Sequence, residues 1–168
     1  MASVVHNIFM QELVKEGVHL TTDVVKIRLC MTDTQANTEA GRDADTVAAI
    51  TALSPTGSAS NGMDIFNGTI ATVSYVAGSD PTLASKTLDS DTDTDSDNIL
   101  SWGANNVTFS VVAGGSRAID GVLIYQSADD IPICYVEFAT PIVTDSSDLT
   151  IKWNSGSSSG TILKLQQG

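Results

Sequence analysis

The chain has 168 residues, 42% of them hydrophobic but only 5% aromatic, so one domain is expected, with a core of Val, Ile, Leu and Ala. Twenty acidic against eight basic residues give a formal net charge of -12, which opposes direct nucleic-acid binding through counterion release and suits docking on a basic or mixed-charge surface. No stretch approaches the roughly 18 apolar residues of a spanning helix, and the start, MASVVHNIFMQELVKEG, lacks the basic and apolar regions of a signal peptide, so neither export nor a membrane partner is expected.

Residues 3–17 carry a helical pattern: Ser3 can cap, Val5, Ile8, Phe9 and Leu13 recur at three- and four-residue steps, and Gly17 can take the left-handed closing position. The period then changes to two, with Val25, Ile27, Leu29 and Met31 on one face and Lys26, Arg28 and Cys30 on the other, which predicts a strand. Residues 32–62 form a polar loop region, within which 43–53 can make a short helix through Val47, Ile50 and Leu53, ended by Pro55 and Gly57.

Beyond Gly62 the chain reads as strand after strand, at 69–76, 83–88, 98–102, 107–112, 119–126, 133–139, 149–153 and 162–165, with Gly, Asn, Asp and Ser punctuation between them. No helical crossovers join the later strands, which disfavours a parallel sheet. The expected fold is mainly β, an antiparallel two-sheet sandwich resembling a jelly roll, with an N-terminal helix. Its core should include residues from Ile27, Leu29, Val122, Ile124 and Val136.

Candidate chemistry is sparse. Gly156-Ser157-Ser158-Ser159-Gly160 satisfies the G-x-S-x-G spacing of a nucleophile elbow, but an elbow lies between a strand and a helix and is followed by Asp and His; here eight residues with no His follow. A Ser- and Gly-rich hairpin loop accounts for it. The two histidines, His6 and His19, have no local partner motif, and with Cys30 and Cys134 they lack paired zinc-ligand spacing. Both cysteines lie in apolar segments and are expected as reduced, half-buried thiols. The sequons at Asn67 and Asn106 carry little meaning without secretion.

The acidic run 89–97 alternates Asp with Ser or Thr, and oxygen ligands of that kind suit a hard cation. Asp91, Asp93 and Asp95 are therefore weak candidates for a divalent site. An EF-hand register from Asp91 meets Ser96 where Gly is needed and Trp102 where Glu is needed, so a solvated segment guarded by charge is the stronger reading. Glu137 is an isolated acid within a predicted strand, and no dinucleotide or P-loop motif occurs. No catalytic residue and no cofactor are expected.

The C-terminal half reads as a series of strand patterns, Val107-Thr108-Phe109-Ser110, Asp120-Gly121-Val122-Leu123-Ile124-Tyr125, Pro132-Ile133-Cys134-Tyr135-Val136-Glu137-Phe138, Leu149-Thr150-Ile151-Lys152-Trp153 and Gly160-Thr161-Ile162-Leu163-Lys164-Leu165. With the N-terminal helix and the strand at 24–31, it resembles a family of small virion structural proteins of tailed bacteriophages. The loop 32–61 and the acidic run depart from that outline.

The resemblance implies a capsid decoration or cement protein on the head exterior, made in the host cytoplasm. Its implied partner is the major capsid protein, bound by a homo-oligomer, with a trimer favoured. A tail, collar or fibre module with a receptor-binding role is the alternative. An envelope-degrading hydrolase is the reading from a different class, and no acid, base or nucleophile constellation can be named for it.

Overall fold

The computed structural model describes residues 3–57, 59, 79–90, 99–110, 112, 118–145, 147–153 and 159–166. The fold is mainly β, and its sheets are antiparallel. Strands β1 (Val4–Val5), β2 (Val25–Met31), β6 (Ile119–Gln126) and β7 (Ile131–Ile142) form a four-stranded sheet in the order β1-β7-β6-β2. A three-stranded sheet runs β3-β4-β9 (Thr87–Ser90, Ile99–Asn105, Ser159–Gln166), and β5 (Val107–Phe109) pairs with β8 (Leu149–Ile151). The expected strand at 69–76 lies outside the described residues.

The period-two pattern of β2 is realised as anticipated. Val25, Ile27 and Leu29 are fully buried in one hydrophobic cluster with Val122, Ile124 and Ile133 of the same sheet, and with Trp102, Ala104, Val107, Phe109 and Ile151 of the other two sheets. Of the five expected core positions, Ile27, Leu29, Val122 and Ile124 have no exposed surface, while Val136 is partly buried at the cluster's edge. Truncating Ile124 to alanine is therefore expected to cost about 2–5 kcal/mol. Val136→Ala should cost only about 1 kcal/mol, because less apolar surface returns to water. Urea unfolding midpoints of the two variants check the difference.

The opposite face of the same sheet is covered as well. Cys30, Leu123, Tyr125 and Tyr135 pack there with Ala36, Val47 and Ile50, which come from the region read as a polar loop. That region contains two short helices, α2 (Glu39–Arg42) and α3 (Val47–Thr51), the second lying within the helix expected at 43–53. Thr38 caps α2 and Thr46 caps α3 through their side-chain oxygens. Asp130, in the left-handed region at φ 60° between β6 and β7, adds a tie by accepting from the Ala48 amide at 2.8 Å. Covered on both faces, β6 buries seven of its eight residues.

The N-terminus departs from the sequence reading. The helix does not begin at Ser3: Val4 and Val5 pair with Tyr135 and Cys134 on the edge of β7, and α1 spans Asn7–Val14. His6 stands at the N-cap position in an extended conformation with no side-chain capping bond. Two β-branched residues beside an open strand edge gain more from ladder bonds than from a helical turn. The helix closes with Glu16, not Gly17, in the left-handed region at φ 60°, and the Gly17 amide donates back to the Glu12 carbonyl at 2.8 Å.

Later boundaries also move: β4 runs on to Asn105, β7 spans Ile131–Ile142, β8 ends at Ile151 and β9 spans Ser159–Gln166, where 98–102, 133–139, 149–153 and 162–165 were expected. Residues 81–83 strap the free edge of β2, with Ile27 N donating to the Pro81 carbonyl at 3.1 Å and Leu83 N to Val25 at 2.8 Å, so the strand expected at 83–88 becomes β3 at Thr87–Ser90. The strand expected at 107–112 ends at Phe109. No helix among the described residues is long and apolar enough to cross a membrane.

Candidate functional site

The polar side chains of most chemical interest sit on the helix-covered face of the four-stranded sheet. Because Val25, Ile27 and Leu29 point into the main cluster, strand geometry turns Arg28 and Cys30 to the other side. Arg28 donates from Nε to Asp80 Oδ2 at 2.7 Å, and Tyr125 donates its hydroxyl to the same oxygen at 2.8 Å. The guanidinium lies 5.0 Å from the centroid of the Tyr125 ring, a cation–π contact. Asp80 reaches this position on the strap at the edge of β2. Burial, then the bond to Asp80, raises the Tyr125 phenol above its ordinary range, so it stays a donor. The three groups engage one another, which makes a clamp between the strap and β2.

A second polar cluster gathers at the other end of β6. The Tyr135 hydroxyl is buried beside the Asp120 carboxyl, and the two act on each other through charge and a side-chain hydrogen bond. Burial, then the Glu137 charge, raises the Asp120 carboxyl. Burial likewise raises the Tyr135 phenol. Among the described residues, no group of three or more His, Cys, Asp or Glu side chains could hold a metal ion.

The cysteines are free and more deeply buried than the half-buried state expected of them. Cys30 packs under the helices and Cys134 belongs to the main cluster, and burial pushes each thiol up to about 12. At neutral pH a thiol with that value supplies almost no thiolate, the form needed for nucleophilic attack or soft-metal binding.

His6 is fully buried, with Nδ1 3.0 Å from the Gly41 carbonyl and Nε2 without a partner among the described residues. A carbonyl only accepts, so Nδ1 carries the proton. His19 is exposed, and its backbone amide donates to Asp23. The ring bond of His6 thus goes to backbone, not to a serine or a thiol.

The remaining positions singled out from sequence divide simply. Asp91, Asp93 and Asp95 lie outside the described residues. So do residues 154–158 of the Ser- and Gly-rich segment, whereas Ser159 and Gly160 open β9, so a strand and not a helix follows the motif. Glu137 sits half-buried in β7. On the outer side of α1, Met10 and Val14 are 46% and 85% exposed and border a shallow apolar depression with Gln11 and Lys15.

Sequence reasoning missed both Asp80 and the role of His6. Asp80 read as a turn residue in Gly78-Ser79-Asp80-Pro81, and the signal available was Arg28, a cation on a strand face that requires a partner once buried. Twenty acids offered too many candidates to choose among. For His6 the signal was its place beside an apolar pair, Val4-Val5, read then as part of a helix. Comparison with known proteins finds no matching family model, no similar curated sequence and no similar solved structure.

Proposed function

We propose that the chain is a non-catalytic structural protein of a tailed-phage virion, a capsid decoration protein that binds the major capsid protein lattice from outside as a homo-oligomer, with a trimer favoured. The observation that carries this reading is the engagement of the reactive side chains inside the fold. Arg28, Asp80 and Tyr125 bond to one another, the two thiols are held protonated by burial, and the His6 ring bonds to backbone. The segments that carry the family resemblance, 107–110, 120–125, 132–138, 149–153 and 160–165, overlap the strands β5, β6, β7, β8 and β9.

In this reading the chain is a single jelly-roll-like sandwich domain. The four-stranded sheet forms one layer and the smaller sheets form the other, supported by the cluster that joins all three. The exposed pair Met10 and Val14 offers an apolar contact on α1, and the net charge of -12 favours basic or mixed-charge shell surfaces over nucleic acid.

Purified shells lacking the protein, mixed with it and sedimented, test the proposal. Saturable binding at a fixed ratio to the capsid subunit is expected, with far weaker binding to free subunits, because a symmetric oligomer gains avidity only on an assembled lattice. The double variant Met10→Ser, Val14→Ser should weaken shell binding about tenfold or more while leaving the unfolding midpoint near its original value. Absence of binding to shells, with antibody label found only on tails, would replace this reading with the tail-module one.

A further inference from the structure

The N-terminal arm, residues 3–14, is held by a short inventory of contacts. Val4 and Val5 pair with the edge of β7, the His6 amide donates to the Ile133 carbonyl at 3.0 Å, and the Glu137 amide reaches Ser3 Oγ at 3.4 Å. Phe9 is the one residue of α1 fully buried in the main cluster, with Ile8 and Leu13 partly buried beside it. On the other side the arm reaches α2 through two side chains, Asn7 to the Asp43 carboxylate and His6 Nδ1 to the Gly41 carbonyl. The Gly41 position admits no side chain, since a Cβ there would lie 1.9 Å from the Gln35 carbonyl oxygen, so this backbone stays packed and presents its carbonyl to His6.

We propose that His6 is an acid-sensitive latch, whose protonation detaches the arm from α2 and from the β7 edge while the central strands stay formed. The incoming proton must go to Nε2, because Nδ1 already donates to Gly41. Nε2 is buried and meets no acceptor among the described residues, so protonation creates an imidazolium with one orphan N–H in a buried site. The groups facing the ring offer no relief. From α2, the Arg42 guanidinium acts on it with like charge, and from its own helix Asn7 is uncharged and turned to Asp43. Among the described residues, the groups found acting on the ring are the Gly41 carbonyl and Arg42, and neither is a carboxylate.

Burial, followed by Arg42, lowers the His6 pKa from 6.5 to about 4, with the Gly41 bond working in the opposite direction. A depressed value means that the detached state binds more protons, so the latch is at full strength above about 6.5 and weakens as the pH falls towards about 4. The arm yields before the sheet because it is an edge element with few buried apolar groups, whereas β6 is paired on both sides and covered on both faces.

Amide hydrogen exchange on the full chain, expressed as protection factors to remove the intrinsic pH dependence, tests the latch. Between pH 7 and 4.5, protection over residues 4–14 is expected to fall on the order of fifty-fold, with β6 keeping its protection. His6→Asn keeps a donor near Gly41 but cannot titrate, so its arm should keep the same protection at both pH values. In a Cys30→Ala background, Cys134, whose neighbour across the ladder is Val5, should react faster with a dithiodipyridine at pH 4.5 than at pH 7, relative to a free thiol of known rate. The wild-type exchange data decide the matter even if either variant fails to fold. Equal loss of protection in the arm and β6, or an arm indifferent to pH, would overturn the proposal, as would an Asn variant that still opens in acid.

Discussion

Replacing Asp80 with alanine is expected to destabilise the fold by about 3–5 kcal/mol, the loss that follows removal of one partner from a buried ion pair. The Asp80 side chain is inaccessible and that of Arg28 is only 14% exposed, so water can do little to replace either partner. Without Asp80 Oδ2, the Arg28 Nε–H and the Tyr125 hydroxyl both lose their acceptor, and the strap over the edge of β2 loses its side-chain anchor. Added salt should not imitate the substitution, because screening acts weakly on buried pairs. Changing the cluster together, Arg28→Met with Asp80→Leu and Tyr125→Phe, should recover much of the loss, since the three groups that bond to one another are removed together. Equilibrium urea unfolding of both variants checks this. A loss below about 1 kcal/mol for the single change would mean that the pair behaves as an exposed one.

Trp102→Ala should cost about 3–5 kcal/mol for a different reason, the cavity left by a large core side chain. Trp102 is 1% exposed, stands on β4 opposite Leu88 and Leu163, and belongs to the cluster joining the three-stranded sheet to the four-stranded one. Its indole N–H also donates to the Leu20 carbonyl at 3.3 Å, which ties the loop before β2 to the same sheet. Trp102→Phe retains most of the volume and loses that bond, so a smaller cost of about 1–2 kcal/mol is expected. Thermal unfolding of the two variants separates cavity from hydrogen bond. Equal losses would show that the indole bond, not the packing, dominates.

The elements legible in the sequence are those whose pattern is local. The alternation Val25, Ile27, Leu29 marked β2 and its buried face, and the boundaries of β6, Ile119–Gln126, coincide with the run of apolar residues read as a strand. The spacing of Val47 and Ile50 is likewise local, and α3 falls inside the expected range. What was illegible depends on partners far along the chain. Val4 and Val5 carry the same apolar character in a helix as in a strand, and only the β7 edge near Tyr135 selects the strand. The segment around Ala36 read as a polar loop because it offers few apolar residues, yet Ala36 joins Val47 and Ile50 in closing over Cys30, Leu123 and Tyr135.

Composition and period therefore determined by themselves that this chain builds antiparallel strands around an aliphatic core, because side-chain direction along a strand depends only on the residue's own place in it. The tertiary structure alone decided which carboxylate pairs with Arg28, which carbonyl receives His6, and that both faces of β6 are covered. Each of those outcomes is a contact between segments distant in sequence, Arg28 with Asp80, His6 with Gly41, and Leu123 with the helices of 39–51. Burial then makes them consequential, since a buried charge or ring nitrogen must find its partner within the fold and loses stability when that partner is removed.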